Sequence, residues 1–522
     1  MSITRRTLIS GALAGGVVAA LGARAARAEA QGIGPDHPDY QSLTLRGYNR
    51  RFQAAPARFY VPATGGEVVD AVAAAVGDGT PIAVRSGGHC FDDFVDGADT
   101  GAIIDLGRLT AVSWDAEHRA FSVGAGADIG TVYEALHRWG VTVPGGICLG
   151  VGMGGHVCGG GYGPLSRRHG LVADHLAGVE VVTVDAGGAA KVVVAHRDGP
   201  HRDLWWAHTG GGGGNFGVVT RFLLRSPGAD GDDPARALPT PPAHMLDTRL
   251  VLPFTTEDSF VRFVGNYLRF FERYRAPGNA FAGLYAPLMI RPTGTGAAEL
   301  LILLDADAPD AQARCDEFVA AVSEGVFPPP IRLPVTRRAY PDTVRQVYYA
   351  KAPSTIRVKV KAAYLRQAYT AEQLRVCYRY LTDLRFLGDS QLEFLPFGGA
   401  VNAVGPGATA MPARDSFMTM LIHAAWRDPA DDDRYLRWAR EMYRDVHADT
   451  GGVPVPGERY GGSYINYPDG DLADPVWNTS GLPWHAFYYR DNYARLRRVK
   501  AAWDPGNRFA HRLSIGRADG LR

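Results

Sequence analysis

Apolar and polar positions recur with two different periods along the chain, and the change between them marks its organisation. From about Ala55 to Ser226 short β-rich runs alternate with helical ones. Gly66–Gly79 carries Val68, Val69, Val72 and Val76 on one helical face and leads into a strand over Pro81–Arg85. Thr131–Trp139 reads as a helix stopped by Gly140, and Val179–Val184 with Val192–Val194 reads as a hairpin turning at Asp185. The stretch 227–243, PGADGDDPARALPTPPA, has the composition of a linker. From about Leu246 to Gly452 the strands lengthen, over Arg249–Phe254, Ala280–Ile290, Leu300–Asp305, Gln391–Phe397 and Phe417–Trp426. Helical patterns over Glu257–Tyr274, Pro309–Glu324, Ala371–Leu384 and Asp431–Asp449 lie between them, which predicts an antiparallel sheet covered by helices. The remainder is aromatic and rich in Gly and Pro, and ends in a helix from about Asp491 with Tyr493, Leu496 and Val499 on one side.

Composition narrows the function. The chain has 522 residues, 55 Lys+Arg against 54 Asp+Glu and a net charge of +1, so neither nucleic acid nor an acidic surface is the expected partner. Only five of the basic residues are lysines, an arginine excess that reads as compositional bias. Sixty-four glycines and 34 prolines, with 46% apolar residues, indicate a globular chain with many turns and close backbone approaches. Five cysteines are too few, and odd in number, for a disulfide framework. At the start, Arg5-Arg6 precedes a mildly apolar run from Leu8 to Gly22, and Ala26-Arg27-Ala28 resembles a cleavage site. This reads as a twin-arginine export signal over residues 1–28, which predicts a secreted protein exported folded, without stable membrane association.

The glycine tracts carry the candidate chemistry. Arg85, Ser86, Gly87, Gly88 and His89 follow a predicted strand, where consecutive backbone N–H groups can converge on an anion. A denser tract holds ten glycines from Gly145 to Gly163 and includes Cys148, His156 and Tyr162. Each of those glycines loses more backbone entropy on folding than alanine would, so the expected compensation is a large flat ligand lying on backbone. A third tract, HTGGGGGNFGVVT, ends in a β-branched strand start. Neither the dinucleotide fingerprint nor the phosphate-loop motif occurs in the right context, and the spacing of Cys148, His156, Cys158 and His169 does not suit zinc, so no metal is expected.

The ordered motifs RSGGH, GGICLGVGMGGHVCGGGYG, HTGGGGGNFGVVT, SYINYPD and YYRDNYARLRRVKAAWDPGNRF resemble the berberine-bridge-enzyme-like FAD-linked oxidases of the vanillyl-alcohol-oxidase flavoprotein superfamily. The likeness runs from about residue 42 to residue 515. Within that family it is nearest in look to the hexose oxidases of glycopeptide-antibiotic biosynthesis, which share RSGGHCF, GGVPVP and YINYPDxDLADP. The resemblance implies an α+β fold: a two-lobed FAD-binding domain over 29–227, a substrate domain over 244–455, and a return to the FAD-binding domain over 456–522. It implies FAD attached covalently through both His89 and Cys148. Arg85 and Ser86–Gly88 would hold the cofactor from the first tract. Gly152, Gly154, Gly155, His156, Gly159, Gly160 and Gly161 would do so from the second. Gly214, Asn215, Phe216, Gly217 and Val218 would do so from the third, with Asn466 near the ring.

For activity, the resemblance implies hydride removal from an alcohol or hemiacetal carbon of a sugar or glycosylated natural product, with O2 reduced to H2O2. Such a step needs a base near the ring. Tyr467 is the first choice, with Tyr162 as its partner; a phenol of pKa about 10 then needs a nearby cation or hydrogen-bond donor. Lys361, Tyr364, Asn402 and Arg414 are the expected substrate-facing residues. Two features depart from the family pattern. Pro412-Ala413-Arg414 stands where many relatives have Pro-His-Arg, and an export signal is unexpected in an intracellular tailoring oxidase. Alternatives are ring closure or amine oxidation of a non-sugar metabolite, a dehydrogenase with a non-oxygen acceptor, and a flavin-loaded binding protein without turnover.

Overall fold

The computed structural model describes residues 32–253, 256–292, 297–351, 355–386 and 390–516, so the export segment expected at 1–28 lies outside the described residues. Two small sheets build the first lobe. Strands β1 (Arg58–Tyr60), β2 (Ile82–Arg85) and β3 (Ala102–Asp105) pair in parallel in the order β1-β3-β2. Strands β4 (Val112–Asp115), β5 (Ala120–Gly124), β6 (Leu176–Val184), β7 (Ala190–His196) and β8 (Val218–Leu224) form an antiparallel sheet in the order β4-β5-β8-β6-β7. Helix α1 (Gly65–Gly77) starts where Thr64 accepts from the Glu67 N–H, satisfying one orphan donor of its first turn, and the Glu67 carboxylate reaches back to accept from the Ala63 N–H before the cap. Its buried stripe of Val68, Ala71, Val72 and Ala75 packs on β3, β6, β7 and β8. Helix α2 (Ile129–His137) is capped by Asp128, and the short α3 (Met153–Cys158) lies inside the second glycine tract.

The second lobe is an eight-stranded antiparallel sheet. Strands β9 (His244–Pro253), β10 (Leu288–Arg291), β11 (Ala297–Asp305), β12 (Ile331–Arg332), β13 (Thr336–Ala339), β14 (Arg357–Leu365), β15 (Gln391–Pro396) and β16 (Met418–Trp426) run β12-β9-β11-β10-β15-β16-β14, with β13 also on β9. Helices α4 (Glu257–Arg273), α5 (Ala311–Ser323), α6 (Ala371–Leu381) and α7 (Asp432–Val446) cover it. Helix α4 buries Phe260, Phe263, Val264, Tyr267, Leu268, Phe270 and Phe271, which accounts for its strongly one-sided sequence. The architecture is therefore α+β. Two expectations change. The run 280–290 is regular strand only from Leu288, and β14 is a strand that its lysine-interrupted sequence had concealed.

The chain returns to the first lobe at its end. Helix α8 (Tyr493–Trp503) packs on the helix Arg202–Ala207, and Phe509 bridges to Ile82 beside β2. Lys500 Nζ donates to the carbonyls of Asn215 and Phe509, while the Ile515 N–H donates to Asn215 Oδ1. On the way, residues 459–462 cover the free edge of β14. Tyr364 donates its N–H to the Gly462 carbonyl and accepts from Gly461, both at 2.8 Å.

Candidate active site

A cavity of about 680 Å³ lies between the lobes and is lined by all three glycine tracts on one side and by the large sheet on the other. Residues from the first tract enter at the end of β2, where Ser86 Oγ donates to the Ala125 carbonyl and accepts from the Gly154 N–H. This ties the first tract to the second. A Cβ at Gly87 would come within 2.4 Å of the Gly152 nitrogen, so both positions require glycine for the backbones to meet. Gly155 faces the cavity instead: a Cβ there would meet no protein atom within 4 Å. Gly213 and Gly214 lie opposite it with similarly open surroundings.

His89 and Cys148 both line this wall. A Cβ at Gly150, two residues after Cys148, would lie 3.2 Å from His89 Nε2. Tyr48 stacks on the His89 ring at 4.8 Å. Burial pushes the His89 imidazole down to about 4, with the Lys351 charge acting in the same direction, so the ring is neutral and its nitrogen lone pair is free at neutral pH. Burial raises the Cys148 thiol to about 12, with Glu393 adding to the shift. The backbone around Cys148 is held from two directions. His156 Nε2 accepts from the Gly146 N–H at 3.2 Å, while Tyr349 exchanges backbone hydrogen bonds with Ile147 and Leu149. All five cysteines are free thiols.

Tyr467 and Tyr162 meet at the inner end, their hydroxyls 3.1 Å apart. Tyr464 packs edge-on against both rings, and Asn466 Nδ2 donates to the Tyr464 hydroxyl and to the His156 carbonyl. Desolvation raises both phenols, and the charges acting on Tyr467, from Tyr162, Tyr464 and Glu393, raise it further. The hydrogen-bond partner expected for Tyr467 is present as the Tyr162 hydroxyl.

The opposite wall carries groups that the sequence did not single out. Gln391 and Glu393 of β15 and His423 of β16 line the cavity, and Gln391 donates to Glu393 at 2.6 Å. Burial lifts the Glu393 carboxyl to about 7 and lowers the His423 imidazole to about 4. Tyr285, Met289, Leu395 and Leu421 make this wall largely apolar. At the far end His511 lines the cavity and stacks on Phe94 at 4.1 Å. The backbone floor, the open glycines and the buried His511 at its far end suit a long, partly flat ligand with polar groups, as FAD is.

Of the residues expected to hold the cofactor, Ser86, Gly87, Gly88, His89, Cys148, Gly152, Gly154, Gly155, His156, Gly214, Asn215, Gly217 and Asn466 line the cavity. Arg85 lines it too, but its guanidinium pairs with Asp105 and Asp96. Gly159, Gly160 and Gly161 lie behind it: Gly159 against Asn466, Gly160 against Met411, and Gly161 donating to the Tyr464 hydroxyl. Phe216 and Val218 are core residues. The four residues expected to face substrate do not reach the cavity. Lys361 is buried against Asp469 and Asp471, and Tyr364 packs on Phe397 and Tyr464. Arg414 forms a two-pronged pair with Asp174, and Asn402 donates to the Ser416 carbonyl beside a separate surface cleft. Polar residues in apolar segments thus answer here to buried partners.

Comparison with known proteins agrees with this geometry. A family profile described as FAD binding domain matches residues 56–192, and one described as Berberine and berberine like matches 463–516. The chain is 46% identical to aclacinomycin-N/aclacinomycin-A oxidase of Streptomyces galilaeus over 91% of this chain and 88% of that one. It is 28% identical to hexose oxidase of Chondrus crispus over 92% and 94% respectively. The structure of a glycopeptide hexose oxidase complexed with teicoplanin superposes with a TM-score of 0.89 at 44% identity, covering 93% of this chain and 98% of that one.

Proposed function

The chain belongs to the berberine-bridge-enzyme-like family of FAD-linked oxidoreductases, and on that premise we propose that it oxidises an alcohol or hemiacetal carbon of a sugar or glycosylated natural product, with O2 reduced to H2O2. The observation that carries this reading is the hydrogen-bonded pair Tyr162–Tyr467 facing the same cavity as His89 and Cys148. FAD, when bound, supplies the two-electron acceptor for the substrate's hydride. His89 and Cys148 would each hold the cofactor covalently, a reading supported by their places on the wall of the same cavity. Ser86, Gly152, Gly155 and Gly214 would carry its length along backbone.

Tyr467, in its phenolate form, takes the proton of the substrate hydroxyl as the substrate's C–H bond breaks, and Tyr162 orients Tyr467 by hydrogen bonding to it. The apolar far wall excludes water and leaves Gln391 and Glu393 as the polar contacts for a sugar. The names of the relatives, an aclacinomycin oxidase and a hexose oxidase, support a glycosylated or sugar substrate. A second reading assigns the proton to Glu393, because a carboxyl at about 7 is closer than either phenol to the range of an efficient base. The twin-arginine pattern at Arg5-Arg6 supports a secreted protein exported folded by the twin-arginine machinery.

The test is peroxide release from the purified enzyme offered aclacinomycin A, teicoplanin, D-glucose and a panel of amines. Peroxide with a sugar or glycoside is the expected result. Peroxide with amines alone would shift the reading to the amine-oxidising alternative, and reduction of a dye with no oxygen uptake would shift it to a dehydrogenase.

A further inference from the structure

Two of the five lysines of this chain, Lys359 and Lys361, project from the same face of β14 and are almost fully buried. Lys359 Nζ donates to Asp469 Oδ1 at 2.6 Å and Lys361 Nζ to Asp469 Oδ2 at 2.7 Å. Both ammonium groups also meet Asp471 Oδ2, at 3.1 and 2.9 Å, and Arg440 grips Asp471 with two hydrogen bonds. Asp92, three residues beyond His89, accepts from the Gly470 N–H at 2.7 Å. Three cations and three carboxylates thus close on one another, joining the loop after His89, the large sheet and the segment that carries Tyr467.

The placement of the two aspartates is informative. Tyr467 packs against the cluster of Val358, Val360, Ala362 and the cavity-lining Leu421, whose β14 members alternate with the lysines. Asp469, two residues later, meets lysines that leave from the opposite face. The segment 464–471 therefore hooks over the free edge of β14. An apolar plug could fill the same volume at lower desolvation cost; what the charged cluster adds is direction, since both oxygens of Asp469 are claimed by separate donors. The cluster acts by geometry, through the short loop that carries both Asp469 and Tyr467.

We propose that Lys359, Lys361, Asp469 and Asp471 form the positioning device for Tyr467, locking its loop over the edge of β14 so that its hydroxyl stays within hydrogen-bond reach of Tyr162. This rests on the assignment of Tyr467 as base. Asp469→Asn removes one charge while leaving an oxygen to accept from the Asp471 N–H, which Asp469 Oδ1 accepts at 3.1 Å. Displacing a base by about an ångström costs up to roughly 100-fold in rate. The probe is whichever of aclacinomycin A, teicoplanin and D-glucose the wild type oxidises fastest.

Four enzymes decide the matter: wild type, Asp469→Asn, Tyr467→Phe and the double variant. The expected result is a kcat lower by about 10–100-fold in Asp469→Asn with KM within threefold, and less than a twofold further loss when Asp469→Asn is added to Tyr467→Phe. The crystal structure of Asp469→Asn is expected to show the two tyrosine hydroxyls beyond hydrogen-bond distance. Equal losses in both backgrounds, or a full rate with the hydroxyls still 3.1 Å apart, would overturn the proposal. Normal turnover by Tyr467→Phe would instead remove the base assignment, while the hydroxyl separation in Asp469→Asn crystals would still decide whether the cluster positions the loop. Should Asp469→Asn fail to fold, Lys359→Met, which leaves Lys361 on Asp469 and Arg440 on Asp471, is expected to give the same pattern at smaller size.

Discussion

The hydroxyls of Tyr467 and Tyr162 lie 3.1 Å apart although the residues are separated by 305 positions, and each ring stands edge-on to Tyr464. Replacing Tyr467 by Phe keeps the ring packing and removes the hydroxyl proposed to take the proton. Tyr467→Phe is expected to retain its yellow colour and to lose substrate oxidation by about 10²–10⁴-fold, measured as anaerobic bleaching in a stopped-flow instrument. Near-normal bleaching would strike Tyr467 from the mechanism.

Glu393 offers a pH test. An ionised carboxylate here raises the Tyr467 phenol, so Glu393→Gln is expected to keep turnover and to move the ascending limb of kcat/KM, where Tyr467 loses its proton, to lower pH. A wild-type limb near pH 7 that vanishes in Glu393→Gln would assign the proton to the carboxylate. Stability follows the same residue. The unfolded chain releases this proton near 4.5 and the folded protein near 7, so the folded state binds more protons in between. Stability is therefore expected to fall as pH rises from about 4.5 to about 7, and that slope should be reduced in Glu393→Gln, as read from urea midpoints.

The cofactor linkages are separable. Acid-precipitated wild type is expected to keep its flavin in the washed pellet, His89→Ala and Cys148→Ala each to keep it through the remaining link, and the double variant to release it. Intact-mass measurement gives the same answer independently. Flavin in the supernatant of the wild type would remove both covalent bonds from the account.

What the sequence reveals about this site, and what it conceals, divides along the two walls of the cavity. Glycine tracts are conspicuous because nothing else explains so many residues without side chains, and His89, Cys148 and Tyr162 stand inside them or at their ends. Gln391, Glu393 and His423 belong to strands whose alternating polar positions look the same whether they face solvent or a cavity. Lys361 misleads for the opposite reason. A lysine among apolar residues draws notice as a site residue, and the aspartates that account for it lie over a hundred positions away. The helices of the second lobe are legible to within a few residues because their apolar stripes are long and regular.

Arg414 is expected to behave as a structural residue. Its guanidinium pairs with Asp174, whose Oδ2 also accepts from the Leu171 N–H. Arg414→Met strands that carboxylate in the interior, and stability is expected to fall by about 3–5 kcal/mol, seen in denaturant unfolding, with KM unchanged. A raised KM at undiminished stability would return Arg414 to the substrate site.

The route of the chain also sets a timetable. Asn215, at the end of the third glycine tract, has its carbonyl and side-chain oxygens claimed by Lys500 and Ile515, and Ile82 beside the first tract is bridged by Phe509. A nascent chain emerging from the ribosome has all three tracts in hand long before these partners exist. The floor of the cavity can be completed only once residues 500–515 have been made, and a fragment ending before residue 456 should emerge colourless.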